Sequence, residues 1–186
     1  TYNRPDALLL VLRSIEFQAL TPDEVIIADD GSGNDTKAAI CAFQKTSDLN
    51  IIHSWQEDNG FRAAKSRNKA IAKSSSDYII LIDGDMILHP KFIEDHVNNA
   101  ESGYFIQGTR VLLTKNTTSK ALKDMNIQFS FFSQGIQNRK NAIHSNFLSK
   151  LFSKKKNYLR GIKTCNMSFF KKDCTNINGF NNAFEG

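Results

Sequence analysis

Two hydrophobic signatures alternate along the chain. Three short strand-like segments occur at Val25 to Ala28, Ile51 to Trp55 and Tyr78 to Ile82; the first and third are unbroken apolar runs, the length and character of strands buried on both faces. Between them lie segments whose apolar residues recur at helical spacing. Pro5 to Ala19 carries Leu8, Leu9, Leu12, Ile15 and Phe17, with Pro5 suited to a first turn. Asp35 to Thr46, with Asp35 as cap, and Arg62 to Ser74 read as second and third helices. This alternation predicts an α/β sandwich with a largely parallel sheet. Further on, Phe92 to Ala100 reads as helix and Tyr104 to Leu113 as extended. The Lys-, Asn- and Ser-rich stretch from Thr114 to Asn157 has no sustained period, although Phe129, Phe131, Phe132 and Phe147 interrupt it. It is expected to be a mobile or partly helical insert. Cys165 to Phe170 reads as a last strand, and Ile177 to Phe180 contains a Gly turn.

With 186 residues, 40% of them hydrophobic, the chain can bury one substantial core, and a single domain over 1–186 is expected. No apolar run approaches the roughly 20 residues that span a bilayer, so a soluble chain is expected. The net charge of +5 suits nucleic acid, an anionic membrane surface or a phosphorylated small substrate, and does not choose among them. Lys150 to Lys156, with Leu151 and Phe152 inside it, is either a solvated face or a peripheral contact with a membrane surface. Cys41, Cys165 and Cys174 are odd in number and lack paired close spacing, which points to reduced thiols.

Candidate chemistry gathers where the apolar runs stop. The first run ends in Asp29, Asp30, Gly31 and Ser32, and the third in Asp83, Gly84 and Asp85. In open α/β sheets ligands bind at the carboxyl ends of strands, where loops converge over a rigid sheet. Buried carboxylates there are costly unless they hold a cation or accept hydrogen bonds. Asp83 and Asp85 would share a side of an extended segment, with Gly84 permitting close approach to the backbone. Such a pair suits a hard divalent ion that also takes phosphate oxygens, and is equally compatible with a solvated turn. At the first turn a carboxylate can accept the ring N–H of a pyrimidine. Between the turns, Arg62, Lys65 and Arg67 open a helix, where cations oppose the dipole unless a diphosphate lies between them and the N–H groups.

Taken in order, Thr1-Tyr2-Asn3-Arg4-Pro5, Asp29-Asp30-Gly31-Ser32, Asn59-Gly60 with Ala64 to Asn68, and Asp83-Gly84-Asp85 resemble the family 2 glycosyltransferases. The run Gly179 to Gly186 is similar to the segment before the Trp-Gly-x-Glu-Asp stretch of their chondroitin polymerase and galactosyltransferase-like branch. The resemblance implies a GT-A, Rossmann-like sandwich with a mixed, mainly parallel sheet, divided into a nucleotide-binding half (1–113) and an acceptor-side half (114–186). It implies Thr1, Tyr2 and Arg4 lining the nucleotide pocket together with Asn59 and Gly60. Asp29 or Asp30 would read uracil, and Arg62, Lys65 or Arg67 would face the diphosphate. Asp83, beside Gly84, would contact ribose or donor sugar and share with Asp85 the binding of Mn²⁺ or Mg²⁺.

The expected reaction is inverting transfer of a hexose or N-acetylhexosamine from a UDP-sugar to a glycan, lipid-linked glycan or lipopolysaccharide acceptor. A cytoplasmic location is expected, with peripheral placement at the inner face of the membrane as an extension of it, and no nucleic acid partner. The general base is expected beyond Gly186 and the family's first strand before Thr1, so the chain is expected to be cut short at both ends. Glu185 is not expected to serve as the base. His89 and His96 are expected on a loop and a helix face rather than as metal ligands. Two competing readings are a nucleotidyltransferase, disfavoured by the absence of glycine in Thr1 to Asp6, and a non-catalytic sugar-nucleotide-binding module.

Overall fold

The computed structural model describes residues 1–145, 149, 151, 153–155 and 162–184. Parts of two sequence expectations therefore fall outside the described residues: Phe147 of the insert, and Lys150, Phe152 and Lys156 of the basic stretch. Glu185 and Gly186 lie outside them too.

Helix α1 (Pro5–Glu16) is followed by β1 (Val25–Asp29), α2 (Asn34–Gln44), β2 (Ile51–Trp55), α3 (Ala63–Lys73) and β3 (Tyr78–Ile82), in the order the hydrophobic pattern predicts. Pro5 begins α1 because its missing N–H falls where no helical partner exists. The helix stops at Glu16, and Phe17, expected on its apolar face, is 60% exposed. Asp35 does not cap α2; Gly33 takes that position and Asp35 sits inside the first turn, where a carboxylate still favours the dipole. One face of α1, through Leu8, Val11, Leu12 and Ile15, packs with Ile27, Ile40, Ile51 and Leu88 as the larger core cluster.

The strands form mixed sheets. β1 and β2 pair in parallel, Val25 opposite Ile51 through Asp29 opposite Trp55. The other pairings are antiparallel and come from later strands. β7 (Asn166–Phe170) lies between β3 and the short β4 (Ile106–Gln107). The strand expected over Tyr104 to Leu113 is broken into β4 and β5 (Leu112–Leu113), and β5 pairs with β6 (Ile136–Gln137). Helix α4 (Phe92–Asn98) precedes β4, and α6 (Lys171–Asn176) follows β7. The insert contains a true helix, α5 (Lys115–Asp124), which Thr114 caps by accepting from the Thr117 amide.

β1 and β3 do not pair with each other. A cavity of about 1150 Å³ runs between them, lined by Val25 to Ala28 on one side and Tyr78 to Ile82 on the other. For this reason β3, an unbroken apolar run, is half-buried along its length rather than enclosed. At the upper end of this slot the Thr1 nitrogen donates to Ala28 O (2.6 Å), and the Asp30 amide donates to Thr1 O (3.1 Å). This is one rung of a parallel ladder between Thr1 and Asp29.

Candidate active site

Both acidic turns open onto that cavity, and Thr1 joins them. Gly84 passes so close to Thr1 that a Cβ on it would stand 3.3 Å from the Thr1 Cβ. Thr1, Tyr2, Arg4, Asp30, Arg67, Asp83, Gly84 and Asp85 all line the cavity. Residues far apart in the chain thus meet over the carboxyl ends of β1 and β3.

The two acids of the first turn have different surroundings. Asp29 is fully buried, with Oδ1 accepting from the Ser32 amide (2.9 Å) and Oδ2 against His53 Nε2 (2.7 Å). Its carboxylate holds the turn and does not reach the cavity. Asp30 faces the cavity while its oxygens accept from Gln56 Nε2 (2.6 Å) and the Arg62 amide (2.7 Å). Each carboxylate oxygen has a second lone pair, so Asp30 is the one able to accept a further N–H. Gly31 makes the turn tight: its φ is +100°, and a Cβ there would fall 2.5 Å from the Asp58 Cα. Asp58 in turn accepts from the Tyr2 hydroxyl (2.9 Å), which raises the pKa of that phenol and leaves the ring half-exposed at the cavity mouth. Arg4 is exposed and paired with Asp6 (3.1 Å).

The second turn differs from the extended segment expected. Met86 N donates to Asp83 O (3.3 Å), closing a turn, so Asp83 and Asp85 border the cavity by turn geometry and not by strand alternation. Arg67 Nη2 lies 3.6 Å from Asp83 Oδ1. Among the described residues no group of three or more His, Cys, Asp or Glu converges as a metal cage. Two carboxylates on a turn beside a cavity nevertheless fit a hard divalent ion that takes its remaining ligands from phosphate and water.

The three cations expected at the diphosphate are split by helical geometry. Ala63, Ser66, Arg67 and Ala70 face the cavity, whereas Arg62 and Lys65 line a separate cleft with Asn59. At roughly 100° per residue, positions 62, 65 and 69 stack on one side of α3 and position 67 points away. Gly60 sits at φ +80° with open space around it.

His96 lies on α4, on the helix face turned inward. It is buried, with Nδ1 2.6 Å from Ser168 Oγ and Nε2 2.9 Å from Asn166 Oδ1. His89 is on a loop and stacks against His144, with ring centroids 4.5 Å apart. Sequence reasoning missed His53, Gln56 and Asp58, which position Asp29, Asp30 and Tyr2. Gln56 and Asp58 follow directly on the carboxyl end of β2, and His53 is the central residue of that strand, opposite Ile27.

The sequence model of the family described as "Glycosyl transferase family 2" matches residues 1–173. The chain belongs to glycosyltransferase family 2. It is 35% identical over 98 residues to a hyaluronan synthase of Pasteurella multocida, covering 52% of this chain and 10% of that protein. It is 25% identical over 185 residues to the GalNAc(5)-diNAcBac-PP-undecaprenol beta-1,3-glucosyltransferase of Campylobacter jejuni, covering 94% of this chain and 55% of the relative. The chain thus spans between a tenth and about half of the length of these relatives. A mannosyltransferase of Pyrobaculum calidifontis, solved with GDP-Man and Mn²⁺, superposes with a TM-score of 0.60 at 15% identity, over 98% of this chain and 46% of that one. Staphylococcus aureus TarS does so with a TM-score of 0.54 at 13% identity, over 97% of this chain and 29% of that one. These two likenesses establish the GT-A fold, and the family match establishes membership of glycosyltransferase family 2.

Proposed function

We propose that this family 2 glycosyltransferase moves a hexose or N-acetylhexosamine from a UDP-sugar to a glycan or lipid-linked glycan, with inversion at the anomeric carbon and a bound Mn²⁺ or Mg²⁺. The observation that carries the reading is that Thr1 joins the two acidic turns, its backbone bonded to Ala28 and Asp30 while a Cβ on Gly84 would stand 3.3 Å from its own Cβ, with Arg67 3.6 Å from Asp83 on the same cavity. Asp30 accepts the uracil ring N–H, Tyr2 flanks the base, and Arg67 meets the diphosphate next to Asp83, which also reaches the ribose or donor sugar. Asp85, with Asp83, holds the metal, which when bound supplies positive charge against the charge growing on the departing UDP. The acceptor hydroxyl attacks from the face opposite the leaving group and gives its proton to an enzyme carboxylate.

Isothermal calorimetry tests this. UDP binding is expected to require Mn²⁺ and to fall at least about tenfold in Asp85→Ala, the loss expected for one direct charged ligand. Binding of equal strength without metal, or in Asp85→Ala, would reject the assignment. GDP in place of UDP checks the base: tighter binding of GDP would reassign the donor.

A further inference from the structure

The cleft that takes Arg62 and Lys65 away from the acidic turns encloses about 580 Å³ and is lined also by Trp55, Asn68, Lys69 and Asn182. Lys65 and Lys69 stand at i and i+4 on α3, and Arg62 is the residue that precedes its first turn, so the three line one cleft on the helix side opposite Arg67. None of the ion pairs formed among the described residues involves these three side chains. Such a grouping is unfavourable in isolation, because like charges four residues apart repel and cations in the first turns oppose the helix dipole. An anion in the cleft would relieve both costs. Glu57 on the same lining leaves the net charge positive.

The wall of the cleft is aromatic. Trp55, the single tryptophan of the chain, is 46% exposed, yet its orientation is fixed. Its indole N–H donates to Ser32 O (3.0 Å), and Lys69 Nζ donates to Trp55 O (2.7 Å), so the ring and the cation are held together. An exposed, immobilised indole presents an apolar face of the size of one sugar ring. Asn68 is similarly held, its side chain bonded to the backbone of Phe180 (2.7 and 2.9 Å) and to Asn182 Oδ1 (2.9 Å); Asn59 and Asn182 line the same cleft, and the Asn182 NH₂ group can donate to a hydroxyl.

We propose that this cleft is a second carbohydrate site, which binds an acidic sugar unit through its ring on Trp55 and its anionic group on Arg62, Lys65 and Lys69. A volume of this size suits one or two sugar rings. The anionic group is a carboxylate or a phosphate ester, since ammonium and guanidinium groups recognise both. The site is separate from the donor cavity, being on the other side of α3, and holds a length of acidic glycan while transfer takes place elsewhere. Only that last role rests on the proposed glycosyl transfer; binding in the cleft does not.

The lone tryptophan is its own reporter. Fluorescence titration with a uronate-containing tetrasaccharide, a phosphorylated tetrasaccharide and a neutral tetrasaccharide, all without donor, is expected to shift or quench Trp55 emission with at least one acidic sugar. The neutral sugar is expected to bind at least about tenfold more weakly, and Lys69→Glu to weaken the acidic sugar by about the same factor. The two acidic probes tell carboxylate from phosphate. UDP–Mn²⁺ calorimetry on the same samples is expected to be unchanged in Lys69→Glu, which separates failure of this site from failure of the donor site. If Lys69→Glu does not fold, Lys69→Gln serves, with a smaller loss expected. Equal binding of neutral and acidic sugars, indifference to both Lys69 substitutions, equal binding of inorganic polyphosphate, or unaltered emission at millimolar sugar would each overturn the proposal.

Discussion

Gly31 and Gly60 flank the first acidic turn and its partner loop, both at positive φ, but they differ in what surrounds them. At Gly31 a methyl group meets the Asp58 backbone, so Gly31→Ala combines a strained conformation with overlap against an atom that cannot move aside. The expected loss of stability is on the order of 3 kcal/mol, read by urea denaturation, together with weakened UDP binding as Asp58 is displaced. Gly60→Ala meets open space and should cost about 1 kcal/mol. Similar losses for the two variants would show that the contact with Asp58 is unimportant. The DDGS signature made this turn legible in the sequence. The partition of labour between Asp29 and Asp30 was not legible, because it depends on His53 and Gln56, which reach the turn through the pairing of β1 with β2.

At the scale of elements, Glu24 ties the link between α3 and β3 to the start of β1. Burial opposes its ionisation, but hydrogen bonds from Ser74, Ser76 and Ser75 prevail and hold its pKa at about 2, against an ordinary 4.5. A depressed carboxylate pKa stabilises the fold above the unfolded value and ceases to do so as pH falls through the folded one. The contribution should therefore be complete above about pH 4.5 and disappear towards pH 2. Glu24→Gln is expected to cost about 1 kcal/mol near neutrality, discounted for partial exposure, and to make acid unfolding less steep in that window. An unaltered acid transition in thermal melts across this range would contradict the assignment. The first six elements followed from apolar periodicity to within three residues at their ends. The two-residue strands β4, β5 and β6 did not, since so short a run leaves no period to read and pairing alone makes them strands.

Across the whole molecule, His96 links α4 to β7 and, through Ser168, to Tyr78 of β3 (2.7 Å). Asn166 donates its amide N–H to Thr109 O, so its Oδ1 accepts from His96 Nε2–H and the neutral ring takes the Ser168 hydroxyl proton at Nδ1. Burial lowers the His96 pKa below 6.5, with Asn166 and Asp95 acting in the opposite direction. A histidine whose folded pKa is depressed favours the fold above its unfolded value and destabilises it as pH drops below that. The melting temperature is thus expected to decline between pH 6.5 and 5, a decline that His96→Gln should reduce; an equal decline in the variant would assign it elsewhere. Nothing in the local sequence of His96 indicated this role, because its partners lie some 70 residues onward.

The slot between β1 and β3 exposes facing rows of peptide groups, each strand having one bonded neighbour among the described residues. Rows of this kind are adhesive to any stretched polypeptide. A stretched segment lying in the slot would pair with both strands at once, so a short peptide of alternating valine and threonine is expected to raise the melting temperature; an unchanged melting temperature would contradict this.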